Sequence, residues 1–302
     1  MQPIDAHAHL FTRPFFEALA RQSPLPGDVE SKLADLATQT GIEIPPADVG
    51  AHLARWIETL DAEGVEHMVA FASLPEEIPA VAEAVQASRG RLTGVAIANP
   101  RIEDAPTKVE ALLAGGAFRG VLLFPAMHHV SVASPEARGV LEALARHRGV
   151  CYVHCGMLQV PLRDRLGLPR PYDLSFANPL DVIPAANAFG EVTFVLPHFG
   201  AGLLREALIA GAQCANVVVD TSSSNAWTRT NGIELRDVFA RALDVLGAER
   251  VLFGTDSGVF PAGWRRERYE EQQAIVESLA ASAAEREAVF GGNARRILGL
   301  GS

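Results

Sequence analysis

Eight short apolar or β-branched runs, each followed by a stretch whose apolar residues recur roughly every 3.6 positions, constrain this chain more than any other feature. The runs fall at residues 3–9, 66–73, 92–99, 118–124, 150–155, 192–198, 216–221 and 250–256. Several are nearly continuous, as Val192-Thr193-Phe194-Val195-Leu196 shows, and a parallel strand covered on both faces reads this way. Between the runs, Leu53, Trp56, Ile57 and Leu60 share one helical face, and Leu235, Val238, Phe239, Ala242 and Leu246 share another. Ser134-Pro135, ahead of Glu136, supplies a capping hydroxyl and a preset first-turn φ, which predicts a helix start.

Repeated βα units fit a closed barrel or a long doubly wound sheet, and periodicity alone does not separate them. No GxGxxG or GxxxxGK[ST] turn follows the first strand, which weakens a nucleotide-binding open sheet. Barrels routinely run past about 250 residues as one unit. The 302 residues therefore read as a single (β/α)8 TIM barrel domain over 1–302. Residues 11–46 are long for a βα connection and hold Pro14, Pro24, Pro26, Pro45 and Pro46. They are expected to form a partly helical lid insertion over the barrel mouth, with residues 157–178 as a second insertion after the fifth strand.

Apolar residues make up 48% and charged residues 21%, enough for a large buried core. The formal charge of -10, with no clustered Lys or Arg, argues against a nucleic-acid enzyme and points to a small-molecule substrate. No apolar stretch approaches the ~20 residues of a membrane span and no signal peptide opens the chain, so no membrane partner and a cytoplasmic location are expected. Cys151, Cys155 and Cys214 cannot all pair and read as small apolar fillers. Closed two-fold dimers are the commonest assemblies, which makes a homodimer the default expectation.

The strongest chemical signal is Asp5-Ala6-His7-Ala8-His9 at the end of the first strand. Side chains at i and i+2 share a face of a strand, about 6 to 7 Å apart at the backbone, so His7 and His9 can converge on one ion. His154 ends the fifth run, His198 the sixth and Asp256 the eighth. In a barrel the carboxyl ends of the strands encircle one site, so these positions would meet there. Asp5 reads as a carboxylate that hydrogen-bonds a ligand histidine. His128 and His129, after the fourth strand, stand close enough to the mouth to meet substrate or to be a solvated loop pair. Arg229, with Arg13 and Arg163 behind it, is a candidate for binding an acidic group, because a guanidinium fork matches a carboxylate. Trp227 and Trp264 are candidate pocket walls, and His52, His67 and His147 read as packing or surface residues.

Together, Ile4-Asp5-Ala6-His7-Ala8-His9, Leu196-Pro197-His198-Phe199-Gly200, Phe253-Gly254-Thr255-Asp256 and Gly292-Asn293-Ala294-Arg295-Arg296-Ile297-Leu298 resemble the amidohydrolase superfamily. The resemblance is to the branch that includes aminocarboxymuconate semialdehyde decarboxylase, and it covers most of the chain. It implies His7, His9, His154 and Asp256 as metal ligands, and His198 as a residue that assists catalysis. The bridging carboxylated lysine of dinuclear members has no counterpart, since Lys32 and Lys108 both lie outside residues 118–124. One divalent ion is therefore expected. Three nitrogens and a carboxylate with an open position suit zinc, and the same donors accept manganese, iron or cobalt.

A divalent ion lowers the pKa of water from ~15.7 to about 7, which makes hydrolysis of an amide, lactone or ester bond through a metal-activated water the leading expectation. Asp256 would take the proton, and His198 would polarise the substrate or orient the water. The alternative is nonoxidative decarboxylation of an unsaturated or aromatic acid with the same ligands. A third reading, a barrel that only binds or scaffolds, is disfavoured by the complete ligand set.

Overall fold

The computed structural model describes residues 2–222, 226–279 and 281–301. Eight parallel strands follow one another in sequence order: β1 (Ile4–His9), β2 (His67–Ala72), β3 (Leu92–Ile97), β4 (Phe118–Leu123), β5 (Val150–Val153), β6 (Thr193–Leu196), β7 (Val217–Asp220) and β8 (Val251–Leu252). Ala6 N donates to Phe253 O at 2.9 Å, His9 N to Ser257 O at 2.7 Å and Asp256 N to His7 O at 2.8 Å, which brings the last strand back to the first. This is the (β/α)8 barrel expected. Each strand falls inside the run that predicted it and is trimmed at its ends.

Alternation along β2 shows how the barrel packs. Val69 and Phe71 point inward to a core shared with Ile4, Val95, Leu122, Tyr152 and Val195, while Met68, Ala70 and Ala72 face the surrounding helices. A strand buried on both faces needs apolar residues at every position, which is why the runs were continuous. At the amino-terminal end of the barrel, Ala294 and Leu298 join the inner core, and Asn293 Nδ2 donates to Ala248 O and Val251 O at 2.7 and 2.9 Å. The terminal motif thus ties the last helix to the start of β8.

Two insertions rise at the opposite end. After β1 come α1 (Arg13–Gln22) and α2 (Val29–Thr40), followed by α3 (Val49–Glu63), whose Leu53, Trp56 and Leu60 are buried as their spacing predicted. The insertion after β5 contains the short helix Pro161–Arg165. Phe15, Phe16, Leu19, Leu33 and Leu36 of the first insertion pack with Leu166 and Leu168 of the second. The helix Pro135–His147 starts where Ser134-Pro135 placed it, but the Ser134 hydroxyl makes no capping bond, so Pro135 carries the start through its fixed φ. Among the described residues no helix is long and apolar enough to cross a membrane.

Candidate active site

At the carboxyl ends of the strands lies a cavity of about 360 Å³, and its inner end is formed by His7, His9, His154, His198 and Asp256. His9 Nε2 stands 3.2 Å from Asp256 Oδ1 and His7 Nε2 stands 3.7 Å from it. One ligand-type atom from each of these three residues lies within 4.8 Å of the other two. His154 remains outside that group. Its ring lies 5.2 Å from the His198 ring and 5.3 Å from that of Phe124, and His198 lies 4.9 Å from His7.

The chain reaches this geometry by leaving the extended conformation just past β6 and β8. His198 and Asp256 adopt φ of 55° and 56°, the left-handed region that side chains other than glycine rarely enter. Such strain persists where surrounding structure over-determines it. Here His198 N is held by Asp220 Oδ1 at 3.0 Å and Asp256 N by the His7 carbonyl. Gly254 permits the approach of β8 to β1, because a Cβ there would lie 2.9 Å from that of His7 and 3.0 Å from that of Ser222.

Asp220, at the end of β7, was not anticipated. Its fully buried carboxylate accepts from His7 Nδ1 at 2.8 Å, from His198 N, and from Ser222 N at 2.9 Å, and it also takes the Ser222 hydroxyl. A carboxylate only accepts, so the proton of His7 sits on Nδ1 and the bare Nε2 faces Asp256. His198 Nδ1 donates to Ser222 O at 2.8 Å, which leaves Nε2 as the ring nitrogen free of that bond. His9 Nδ1 meets Ser73 Oγ at 2.7 Å. The signal for Asp220 was present as a carboxylate directly after the apolar residues 217–219, the same pattern that marked Asp256.

Asp5 hydrogen-bonds His7, as expected, but through the backbone and not the ring. It accepts from the His7 backbone N at 3.0 Å, Thr255 N at 3.1 Å, Thr255 Oγ1 at 2.5 Å and Trp264 Nε1 at 2.8 Å, and makes no hydrogen bond to an imidazole. Two residues before His7 on the same strand, it lies one layer deeper than the ring and binds the β8 turn instead. Trp264 is accordingly a buried partner of Asp5 and not a pocket wall.

Burial dominates the electrostatics. It pushes the Asp5 carboxyl up to about 6 against its four donors, and lowers the His154 imidazole to about 3, helped by the nearby His198 and His7. Burial also lowers His7, against the opposing pull of Asp220. For Asp220 and Asp256 burial pushes upward, but the surrounding imidazoles outweigh it and hold both carboxyls below their ordinary range. Glu77, buried beside the start of the first insertion, accepts from Thr12 N at 2.7 Å and Ser73 N at 2.8 Å, and burial raises it to about 7.

The remaining candidates divide. Arg163 lines the cavity, as does Arg265, which the sequence reading missed. Arg229 is exposed, Trp227 is buried, and neither belongs to the cavity wall; Arg13 is engaged by Glu17 and Glu30. Met127 reaches the cavity, whereas His128 faces away into a small cleft with Pro100 and Val132. His129 Nε2 donates to Pro171 O at 2.5 Å, which ties the loop after β4 to the second insertion. His52 and His67 are packing residues, His147 pairs with Glu110 at the surface, and all three cysteines are buried and free.

The donor set fits a divalent ion. Two imidazoles present nitrogens toward one carboxylate oxygen, and the buried His154 Nδ1 has no hydrogen-bond partner, a costly arrangement for a polar atom unless something binds it.

A parallel barrel with histidines and an aspartate gathered at its strand ends defines the amidohydrolase class of enzymes. The amidohydrolase family profile matches residues 4–300, and the chain belongs to that family. Solved structures give the same fold. 2,6-Dihydroxybenzoate decarboxylase from Rhizobium is 17% identical with a TM-score of 0.65, covering 99% of both chains. 5-Carboxyvanillate decarboxylase from Novosphingobium aromaticivorans, complexed with manganese and 4-hydroxy-3-methoxy-5-nitrobenzoic acid, is 16% identical at 0.67, covering 99% of this chain and 96% of its own. A probable 2-pyrone-4,6-dicarboxylic acid hydrolase from Acinetobacter baumannii is 15% identical at 0.62, covering 99% and 100%. No curated protein sequence matches the chain.

Proposed function

We propose that this chain is a metal-dependent hydrolase of small-molecule amide, lactone or ester bonds, with one divalent ion held by His7, His9, His154 and Asp256. The observation that carries the reading is the approach of His7 Nε2, His9 Nε2 and Asp256 Oδ1 to one another at the inner end of a cavity sized for a small molecule. The unpartnered His154 Nδ1 supports a fourth ligand. Zinc is the proposed metal, because three nitrogens and a carboxylate with an open position are its usual catalytic set; manganese, iron and cobalt accept the same donors, and metal analysis decides.

When bound, the ion supplies a Lewis-acid centre that lowers the pKa of water and polarises a substrate oxygen. The Asp256 carboxylate, kept ionised by its imidazole neighbours, accepts the proton of the attacking water. His198, with its Nδ1 proton committed to the Ser222 carbonyl, is left with Nε2 to hydrogen-bond that water and orient it. Asp220 holds both His7 and the backbone of His198, so the two imidazoles keep a fixed relation.

A second reading, nonoxidative decarboxylation of an aromatic or unsaturated acid, is favoured by the apolar cavity wall of Phe11, Phe15, Phe124 and Leu158, and by the decarboxylases that share the fold. The test is to incubate metal-loaded protein with lactones, amides and esters beside hydroxybenzoates, following acid release and carbon dioxide separately. Acid release without carbon dioxide is expected. Carbon dioxide from the benzoates alone would replace the leading reading with the second, and inactivity on every compound would remove both.

A further inference from the structure

We propose that Glu77 is a positioning residue for His9, whose imidazole it holds from two sides through Ser73 and Phe11. The inference rests on His9 acting as a metal ligand, as proposed above, and adds what keeps its ring in place.

Burial makes the first argument. Glu77 ends the turn Pro75–Glu77 that follows β2, and its side chain is fully buried without reaching the cavity. Among the described residues its partners are all hydrogen-bond donors, and no Lys, Arg or His pairs with it. A carboxylate without a counter-ion is costly in such a place and persists only where donors satisfy it. Its two oxygens are used separately. Oε1 accepts from Thr12 N at 2.7 Å, and Oε2 accepts from Ser73 N at 2.8 Å.

Each of these contacts leads to His9. Ser73 Oγ stands 2.7 Å from His9 Nδ1, and Nε2 of the same ring faces Asp256. Phe11, directly before Thr12, lays its ring parallel to the imidazole, with centroids 4.7 Å apart and 6° between the planes. To do so it takes a φ of 40°, in the left-handed region that side chains other than glycine rarely enter. Such a conformation persists where neighbouring contacts over-determine it, and Thr12 N, in the peptide unit just after Phe11, is held by Glu77. Gly258 fits the same arrangement. A Cβ there would lie 2.7 Å from two atoms of the Phe11 ring and 3.4 Å from the His9 Cβ, so the loop after β8 closes on the stacked pair only without a side chain. An imidazole with a partner at Nδ1 and a ring on its face keeps one orientation, which a ligand needs before an ion arrives.

Glu77→Gln is the direct test, since an amide has one acceptor oxygen and must release either Thr12 or Ser73. Cobalt(II) is the probe, with affinity measured by chelator competition on the full-length protein. A loss of about tenfold is expected. In a Phe11→Ala, Ser73→Ala background the same change is expected to cost less than about twofold, because both contacts with His9 are already gone. In the metal-free protein the His9 ring-proton resonances are expected to shift in Glu77→Gln, since losing the stack removes ring-current shielding and losing Ser73 changes the Nδ1 partner. Should the glutamine variant melt early, Phe11→Ala and Ser73→Ala carry the test, each expected to weaken cobalt binding by a similar factor. Wild-type cobalt affinity in folded Glu77→Gln or in both single variants, or a full additional loss in the triple variant, overturns the proposal. His9→Ala separates this proposal from the ligand assignment. Unchanged cobalt affinity in His9→Ala removes His9 as a ligand, while shifted His9 resonances in Glu77→Gln still uphold the positioning. Lost affinity in His9→Ala beside wild-type affinity in Glu77→Gln does the reverse.

Discussion

The two ends of the cavity are held by different kinds of force. At the inner end, three of the four imidazoles have a defined partner: His7 has Asp220, His9 has Ser73 and His198 has the Ser222 carbonyl, while His154 Nδ1 has none, and Asp5 locks the His7 backbone to the β8 turn. At the outer end, Phe15, Phe16, Leu19, Leu33 and Leu36 meet Leu166 and Leu168 in an apolar cluster, with the Ser23 hydroxyl to Leu166 O at 2.6 Å as a polar tie. Hydrogen bonds to buried charges fix direction to fractions of an ångström, while apolar contact is non-directional and tolerates exchange of similar volumes. The inner end is therefore suited to hold a reaction constant, and the outer end to let the choice of substrate vary.

Substitutions at the two ends should then fail differently. The largest effect is expected from Asp256→Asn, which keeps an oxygen near His9 but removes the proton acceptor: turnover should fall by about 10³-fold while part of the metal remains, read by kinetics beside elemental analysis. A loss below tenfold would show that the carboxylate does no proton transfer. Next, Asp220→Asn leaves a similar shape but frees the His7 tautomer, and is expected to cost about 10- to 100-fold in metal affinity or activity. Full metal affinity and activity in that variant would mean that the inner end does not depend on its buried carboxylate.

At the outer end, Phe15→Ala should behave in the opposite sense. Phe15 is buried and lines the cavity without reaching the histidines. Its removal is expected to raise KM by about tenfold and to leave metal content unchanged, with kcat altered less than KM. A fall in metal content would join the two ends into one mechanical unit and break the distinction.

The same division decides what could be read before any coordinates. All eight strands were legible because parallel strands covered on both faces demand unbroken apolar runs. That His7, His9, His154, His198 and Asp256 meet was legible because each ends or follows an apolar run, and a barrel gathers its strand ends around one cavity. The exact strand ends were not, since His198 and Asp256 turn into the left-handed region under tertiary constraint. Asp220 carried the same pattern as Asp256, but a buried carboxylate that pairs with an imidazole and one that lines the cavity look alike until the partner is placed. Length and prolines exposed the first insertion; nothing in local periodicity could pair Phe15 with Leu166, so the outer cluster was invisible. Arg229 drew attention through its place after the seventh strand, yet it points to solvent.

The smallest predicted effect concerns protons at the inner end when the metal is removed. Burial holds the His154 imidazole at about 3 in the folded chain against 6.5 in a solvated one. As pH falls through 6.5, the unfolded chain takes up this proton and the folded chain does not, so stability is full above that value and declines toward acid. Between pH 6.5 and 5 the loss amounts to about 2 kcal/mol at most, on the order of 1.4 kcal/mol per unit. Chelated wild-type protein should thus lose several degrees of Tm between pH 7 and 5 beyond what His154→Leu loses, since the leucine variant has no such proton to refuse. His7 and His128 stay in both proteins and cancel. Parallel melting curves would mean that His154 is solvated without the ion, and the inner end would then be no more rigid than the apolar cluster above it.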